Sequence, residues 1–528
     1  MKKELIFEEL TLDEKLGLVM CANLTAEPTD EGIERILNMI REHRLGAVYV
    51  GVKRRDEFLK LVHEVADYPI LTVTGNEVGI GPHTYPSVRA LGATGYNEEA
   101  AYTFGKIVGH ECRAVGINVV NSPVVDISNV NMRHIGSDPE GVAKMAVAIV
   151  RGMHDAGVLA IVKHYPGPGA VWVDTHMQEA RNDRSPEELE RINLRPYLRL
   201  LEEGLLDGIM PGHNVITAID PDRPASLSKP VLDLLRGRGW EGLSMPDALC
   251  MMGIALKYGK EAPNGMCIAA GSDIALPWDV SCEVGYSYMK NGLEKGLFTE
   301  EQLDASVRRV LAAQHKVNLL SSVTCELTRE DIARFERLPA DCVSAHYAEG
   351  VPHALAKDGR HLFVILTERD ASSEQDLAAA VPFSGEWFFP HRVRDMVKAQ
   401  FPNSDCTFLH EYPSATDNIR LFDKQIPYDD VVYITSHRAQ AYVGRDCLTE
   451  RVLAVMRALQ STNRIAAVLH FGNPHVMDDV PRCDRFILGY TSLKCVEFAL
   501  SVLAGDAVAT GTVPYENVML KLCKGDGR

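Results

Sequence analysis

No CxxC pair occurs in this sequence, and its twelve cysteines are scattered from Cys21 to Cys523 without regular spacing. A disulfide framework needs a small secreted chain, so reduced and mostly buried thiols are the expectation. No uninterrupted apolar stretch reaches the ~20 residues that span a bilayer. The run Met1–Leu10 meets acidic residues before an apolar segment can form, so no signal peptide is expected. A basic stripe is missing too: the formal net charge is -17, which speaks against a nucleic-acid partner and against a strongly anionic membrane surface. Low-complexity segments and convincing short repeats are absent. These absences leave a protein expected to be soluble and cytoplasmic, its acidity serving solubility.

What is present suits a large folded protein. The 528 residues are 46% hydrophobic and 24% charged, enough for two domains of ordinary size with substantial cores. Short β-rich runs alternate with longer amphipathic segments over the first part of the chain. The candidate strands are Leu45–Val50, Ile70–Thr74, Ile117–Val120, Leu159–Lys163, Asp207–Met210, Leu243–Met245 and Asp273–Leu276, with a weaker one near Leu18–Cys21. Between them lie helix patterns such as Lys229–Arg236, where Ser228 can cap, Pro230 sits in the first turn and Gly237 follows the end. Seven or eight such units predict an α/β fold, a (β/α)8 TIM-type barrel over residues 1–325, with a doubly wound sheet as the alternative. Beyond a charged stretch, His361–Leu366, Val431–Thr435, Arg464–His470 and Phe486–Gly489 predict one smaller α/β domain over residues 345–528.

Reactive side chains of such a barrel belong at the C-terminal ends of its strands. Lys163-His164 leads into Pro166–Gly169 and on to Asp174-Thr175-His176, while Pro211-Gly212-His213 and Pro246-Asp247 follow the next two strands. Lys, His and Asp therefore gather around one mouth. Each has a plainer reading as well. Asp247 suits a helix N-cap, His213 a satisfied core histidine, and Lys163-His164 partners for mouth carboxylates. Pro166–Gly169 could cradle a phosphate, although it lacks a GK[ST] ending. Asp174 and His176, one residue apart, fall on the same side of an extended loop, where a carboxylate can orient an imidazole for acid–base work.

Lys163-His164-Tyr165-Pro166-Gly167-Pro168-Gly169 followed by Asp174-Thr175-His176 resembles the KHFPGHG…DSH signature of glycoside hydrolase family 3, and most of all its bacterial two-domain cytoplasmic β-N-acetylglucosaminidases. Pro224–Lys229, Arg236, Gly242-Leu243 and Asp247-Ala248-Leu249 are similar to the segment that carries the family's nucleophile. Pro123–Ile127, Arg133–Pro139 and Ala270–Asp273 fall in family order, and Phe471–Pro474 and Gly511–Pro514 look like the family's C-terminal α/β sandwich domain, so the resemblance covers nearly the whole chain. It implies that Asp247 is the nucleophile and that His176, held by Asp174, is the general acid and base. It also implies that Arg133, Lys163, His164 and Glu77 contact the sugar, with His213 beside the nucleophile. Two positions depart from the pattern. The DxEGG turn, whose aspartate grips a sugar hydroxyl, reads Gly75-Asn76-Glu77-Val78-Gly79, and PGHG reads Pro166-Gly167-Pro168-Gly169.

The activity so implied is retaining cleavage of terminal β-linked N-acetylglucosamine through a covalent glycosyl-enzyme. A neutral imidazole beside the site would not repel an anionic acceptor, so a phosphorylase is the variant of that chemistry. The alternatives are a β-glucosidase or β-xylosidase, and a non-catalytic sugar-binding relative. A metal-dependent barrel hydrolase would need ligands from His164, His176, His213 and Asp247. No HxH on an early strand accompanies them, so neither metal nor cofactor is expected. The smaller domain could pack on the barrel, mediate a homodimer or lend a residue to the site.

Overall fold

The computed structural model describes residues 2–51, 54–75, 80–81, 83, 87–127, 134–170, 173–367, 389–437, 447–460, 464–490, 492–516 and 518–523. The chain divides into two compact units. The first comprises residues 1–83, 98–128 and 138–332, and the second comprises 84–97, 129–137 and 333–528.

Seven parallel strands form the sheet of the first unit: β1 Cys21–Asn23, β2 Ala47–Tyr49, β3 Leu71–Thr74, β4 Val119–Val120, β5 Leu159–Tyr165, β7 Gly208–Pro211 and β9 Leu243–Ser244. Two further short strands, β6 Ala180–Asn182 and β8 Asn214–Ile216, pair with each other in parallel. Residues 273–276 close the ring. The Asp273 and Ile274 amides donate to the Ser244 carbonyl at 2.7 and 3.2 Å, the Ala275 amide donates to Val19, and Cys21 donates back to Ala275 at 2.9 Å. Asp273 pins this closure, accepting the Ser244 amide at 2.7 Å, Arg236 at 2.9 Å and Arg309 at 2.7 Å while itself wholly buried. Burial pushes its carboxyl upward against the pull of the two guanidiniums.

The interior is apolar and close-packed by residues at period two, among them Cys21, Ala47, Leu71, Val73, Ile161, Met210, Met245, Ile274 and Leu276. Truncating a fully buried member such as Ile161 to alanine would cost roughly 2–5 kcal/mol. The weak strand candidate at Leu18–Cys21 moves later. A capping box between Thr11 and Glu14 starts a helix at Leu12–Leu18, and the strand begins only at Cys21. Lys229–Arg236 is helical with Pro230 in its first turn, but Ser228 does not cap it. Its hydroxyl donates to Asp220 Oδ2 at 2.7 Å instead, and Gly237 keeps a right-handed φ of -64°.

The second unit holds a six-stranded sheet in the order β10-β15-β14-β13-β11-β12, made of β10 Ser344–Tyr347, β11 Leu362–Thr367, β12 Asp405–His410, β13 Val431–His437, β14 Ile465–Gly472 and β15 Arg485–Gly489. All pairings are parallel except that of β10, which runs antiparallel to β15 on one edge. Helices Pro390–Gln400 and Leu493–Leu503 pack together, as do Ala415–Gln425 and Glu450–Gln460, in the manner of a doubly wound α/β layer. Strands β10 and β12 carry no apolar run. They lie on the two edges of the sheet and are only partly buried, so a polar composition suffices.

Candidate active site

The site is built on the C-terminal ends of β5, β7 and β9. Beside β5 runs the segment Pro123–Val125, fixed by Lys163 N donating to Pro123 O at 3.1 Å and Val125 N donating to Lys163 O at 2.8 Å. This register delivers Asp126 to His164. Its carboxylate accepts the His164 amide at 3.0 Å and lies 2.8 Å from Nδ1 of the ring. With Nδ1 donating to Asp126, the opposite nitrogen Nε2 points at Asp247 and stands 3.8 Å from its Oδ2. Asp126 is almost wholly buried, and the His164 ring retains 13% of its exposure. The reading of Lys163-His164 as partners for mouth carboxylates and the reading as site residues thus describe the same arrangement.

Asp247 follows β9 and is held by its amide donating to Pro211 O at 3.0 Å. Its Oδ1 accepts the Ala248 amide at 2.8 Å, and the next helix starts only at Met252, so Asp247 is no N-cap. Burial pushes its carboxyl upward, but His164, His213, the Ala248 amide and Lys163 outweigh that and hold it at about 2. Asp247 is therefore an ionised carboxylate at neutral pH. Its side chain keeps 22% of its exposure, open enough for a ligand to reach.

His213 is buried, with Nε2 donating to Ala248 O at 3.0 Å and Nδ1 accepting the Ser226 hydroxyl at 2.9 Å. Burial lowers its pKa against the pull of Asp247. With both nitrogens engaged it braces the Asp247–Ala248 backbone as a neutral ring, and neither nitrogen is placed to ligate a metal. His164 and His176 both act on its charge, which brings the three histidines into one electrostatic neighbourhood.

Asp174 and His176 do meet, through a turn and not an extended loop. Asp174 Oδ1 accepts the His176 amide at 3.0 Å and lies 2.8 Å from Nδ1, while Met177 and Gln178 donate to Asp174 O. This is an Asx-type turn, and its short-range geometry directs Nε2 away from Asp174. The segment after Asp247 carries this turn: Met252 N donates to His176 O at 3.1 Å. A Cβ on Gly253 would stand 2.5 Å from Thr175 O, so the close approach needs glycine there.

The Pro166–Gly169 loop holds no phosphate-cradling array of amides. Asn193 and Arg184 donate to the Pro168 carbonyl at 3.1 and 3.2 Å, and Asn182 donates to those of both Gly167 and Pro168. A Cβ on Gly167, whose φ is 118°, would meet Asn193 Nδ2 at 2.6 Å. Donors thus pin this loop through its carbonyls. Lys163 is buried near Asp247. Arg133 and Glu77 lie outside the described residues. Asp126 and Ser226 are the positioning residues that sequence reasoning did not single out. Asp126 could be read only as one letter of the Pro123–Ile127 string, since its partner is 38 residues away.

Residues 11–313 match the model of the glycosyl hydrolase family 3 N-terminal domain. A beta-hexosaminidase from Tolumonas auensis is 35% identical over 244 residues, spanning 44% of this chain and 73% of its own length. One from Pseudomonas aeruginosa is 35% identical over 198 residues, spanning 36% of this chain and 59% of the relative. Among solved structures, a glycoside hydrolase family 3 beta-N-acetylglucosaminidase from Paenibacillus sp. str. FPU-7 superposes with a TM-score of 0.81 at 24% identity, over 97% of this chain and 100% of that one. No helix among the described residues is long and apolar enough to cross a membrane. The matched family model covers more than half of the sequence and contains every side chain just described at the barrel mouth, so the chain belongs to glycosyl hydrolase family 3 and is a glycoside hydrolase.

Proposed function

We propose that this enzyme cleaves terminal β-linked N-acetylglucosamine with retention of configuration. The observation that carries the reading is the ionised carboxylate of Asp247 at a barrel mouth that also presents the Asp174–His176 pair. Asp247 attacks the anomeric carbon as the glycosidic C–O bond breaks, and a glycosyl-enzyme ester forms. The imidazolium of His176 gives its Nε2 proton to the leaving oxygen, while Asp174 holds Nδ1 and balances the charge. Water then attacks the anomeric carbon, His176 takes its proton, and Asp247 is released.

A histidine suits both halves of this cycle because its unperturbed pKa of about 6.5 lies near neutrality. The choice of sugar draws on the beta-hexosaminidase relatives and on the turn that carries His176. Lys163 and His164, with Arg133 and Glu77, would contact the sugar. The free, buried thiols Cys21, Cys112, Cys267 and Cys282 support a cytoplasmic location.

A screen of aryl β-glycosides tests the reading. N-acetylglucosaminide should be turned over in preference to glucoside, xyloside and galactoside. Added phosphate distinguishes hydrolysis from phosphorolysis, because a phosphorylase would release sugar phosphate. A beta-glucoside phosphorylase is among the structures that share this fold, with a TM-score of 0.77 at 22% identity over 97% of this chain and 94% of that one. Turnover of none of these substrates would contradict the proposal.

A further inference from the structure

At the mouth end of the barrel interior stand two aromatic side chains to which the proposed chemistry gives no part. Tyr49 ends β2, and Trp278 lies two residues beyond the closing segment 273–276. Both are partly buried and pack against the interior cluster. Their positions continue the inward-facing periodicity of Ala47 and of Ile274 and Leu276. Their rings meet edge to face, with centroids 4.6 Å apart and planes inclined at 65°.

Trp278 adopts a φ of 56°, in the left-handed region that a bulky side chain rarely enters. Asn23 Nδ2 holds that backbone by donating to Trp278 O at 2.9 Å. Glycine would satisfy this conformation without strain, so barrel closure does not call for an indole there. Strain maintained around a large side chain at a barrel mouth points to use of that side chain. The pair is also close to the chemistry. Leu249, two residues past Asp247, donates its amide to Leu276 O at 3.0 Å, two residues before Trp278.

Tyr49 accounts for a departure in the sequence. Its hydroxyl accepts the Gly75 amide at 3.1 Å, and a Cβ built on Gly75 would stand 2.5 Å from that oxygen. Any side chain at residue 75, a carboxylate included, would collide with Tyr49. The polar grip of an aspartate at the turn is thereby replaced by an aromatic corner.

We propose that Trp278 and Tyr49 form the subsite that seats the C–H face of the terminal pyranose, the ring that Asp247 attacks. A pyranose with mostly equatorial hydroxyls presents a face of axial C–H bonds, and the electron-rich face of an indole attracts it. This inference rests on the glycosidase reading and adds the means of sugar recognition. It predicts selection for equatorial hydroxyls through shape, with Trp278 supplying affinity for the sugar and not for the leaving group.

The test uses the full chain and free N-acetylglucosamine, which engages only the terminal-sugar subsite, as competitive inhibitor. Trp278→Gly removes the indole while matching the backbone conformation, so the fold is expected to survive, as a thermal melt would verify. Its inhibition constant should rise about tenfold, with KM for the aryl glycoside rising in parallel and kcat changing less. Trp278→Phe should recover most of the loss. An unchanged inhibition constant in Trp278→Gly would overturn the proposal, as would a change confined to KM for the aryl substrate.

Gly75→Ala provides a second arm. It should lower Tm in the wild type but not beside Tyr49→Phe, which removes the colliding hydroxyl and leaves the nearest ring carbons at 3.4 Å. Equal loss in both backgrounds would refute the role given to Tyr49. Tryptophan fluorescence titration with N-acetylglucosamine and glucose separates the two levels of inference. If the wild type binds either sugar but turns over neither glycoside, the glycosidase reading fails and the subsite stands. If it binds neither, the subsite proposal fails.

Discussion

His164 links two carboxylates, with Nδ1 2.8 Å from Asp126 Oδ2 and Nε2 3.8 Å from Asp247 Oδ2. The buried Asp126 fixes the ring from behind, so the orientation of His164 at the site is set by a residue that never reaches it. Asp126→Asn should hold the ring less firmly and weaken its pull on Asp247. We expect kcat/KM to fall about 10²-fold, the scale of a small misplacement of a site group, while the fold is retained. Steady-state kinetics beside a thermal melt would measure it, and wild-type kinetics in a folded Asp126→Asn would remove the positioning role.

For His176, the prediction is a split by leaving group. His176→Ala should slow glycosides with poor alkoxide leaving groups by 10²-fold or more, on the order of a lost general acid, and activated nitrophenyl glycosides much less in the first step. Equal slowing across a series of aryl leaving groups would exclude the acid role. Asp174→Asn should show the same split in weaker form, because the imidazolium would lose its counter-charge.

The depressed pKa of Asp247 sets two pH dependences. With a folded value of about 2 against an unfolded value of about 3.9, its ionised form adds stability that is present above about pH 4 and lost as the pH falls toward 2. The Tm difference between wild type and Asp247→Asn should therefore change on acidification below about pH 4. For the same reason Asp247 gives kcat/KM no limb above about pH 5; the alkaline limb falls to the general acid, which must be protonated in the first step, and His176→Ala should remove it. A wild-type alkaline limb that persists unchanged in His176→Ala would count against the dyad.

Closure of the barrel depends on a buried charge cluster. Asp273 is completely buried between Arg236 and Arg309. Removing one partner leaves its charge undercompensated, so Arg236→Met or Arg309→Met should each cost about 3 kcal/mol, read from denaturant midpoints. A loss below about 1 kcal/mol, the scale of an exposed pair, would show that backbone hydrogen bonds alone hold the ring closed.

Much of this was legible in the sequence because a barrel strand buried on both faces is a short apolar run, as at Leu159–Val162 and Ile209–Met210. The edge strands Ser344–Tyr347 and Asp405–His410 were not, since a half-exposed strand needs no such run. Asp174 and His176 could be paired from sequence because their contact spans one residue. Asp126 with His164 and Tyr49 with Trp278 could not, because strand order in the closed sheet brings them together. The collision between Tyr49 and a side chain at residue 75 is likewise a property of packing. In sequence it shows only as a glycine where an aspartate is expected.

The proposed cleavage depends on a covalent bond between Asp247 and the sugar. Incubation with a fluorinated N-acetylglucosaminyl or glucosyl fluoride, followed by intact-mass analysis and peptide mapping, tests it directly. An adduct of one sugar per chain is expected on the peptide that carries Asp247, and none on Asp247→Ala. An adduct on another residue, or undiminished labelling and turnover in Asp247→Ala, would contradict it.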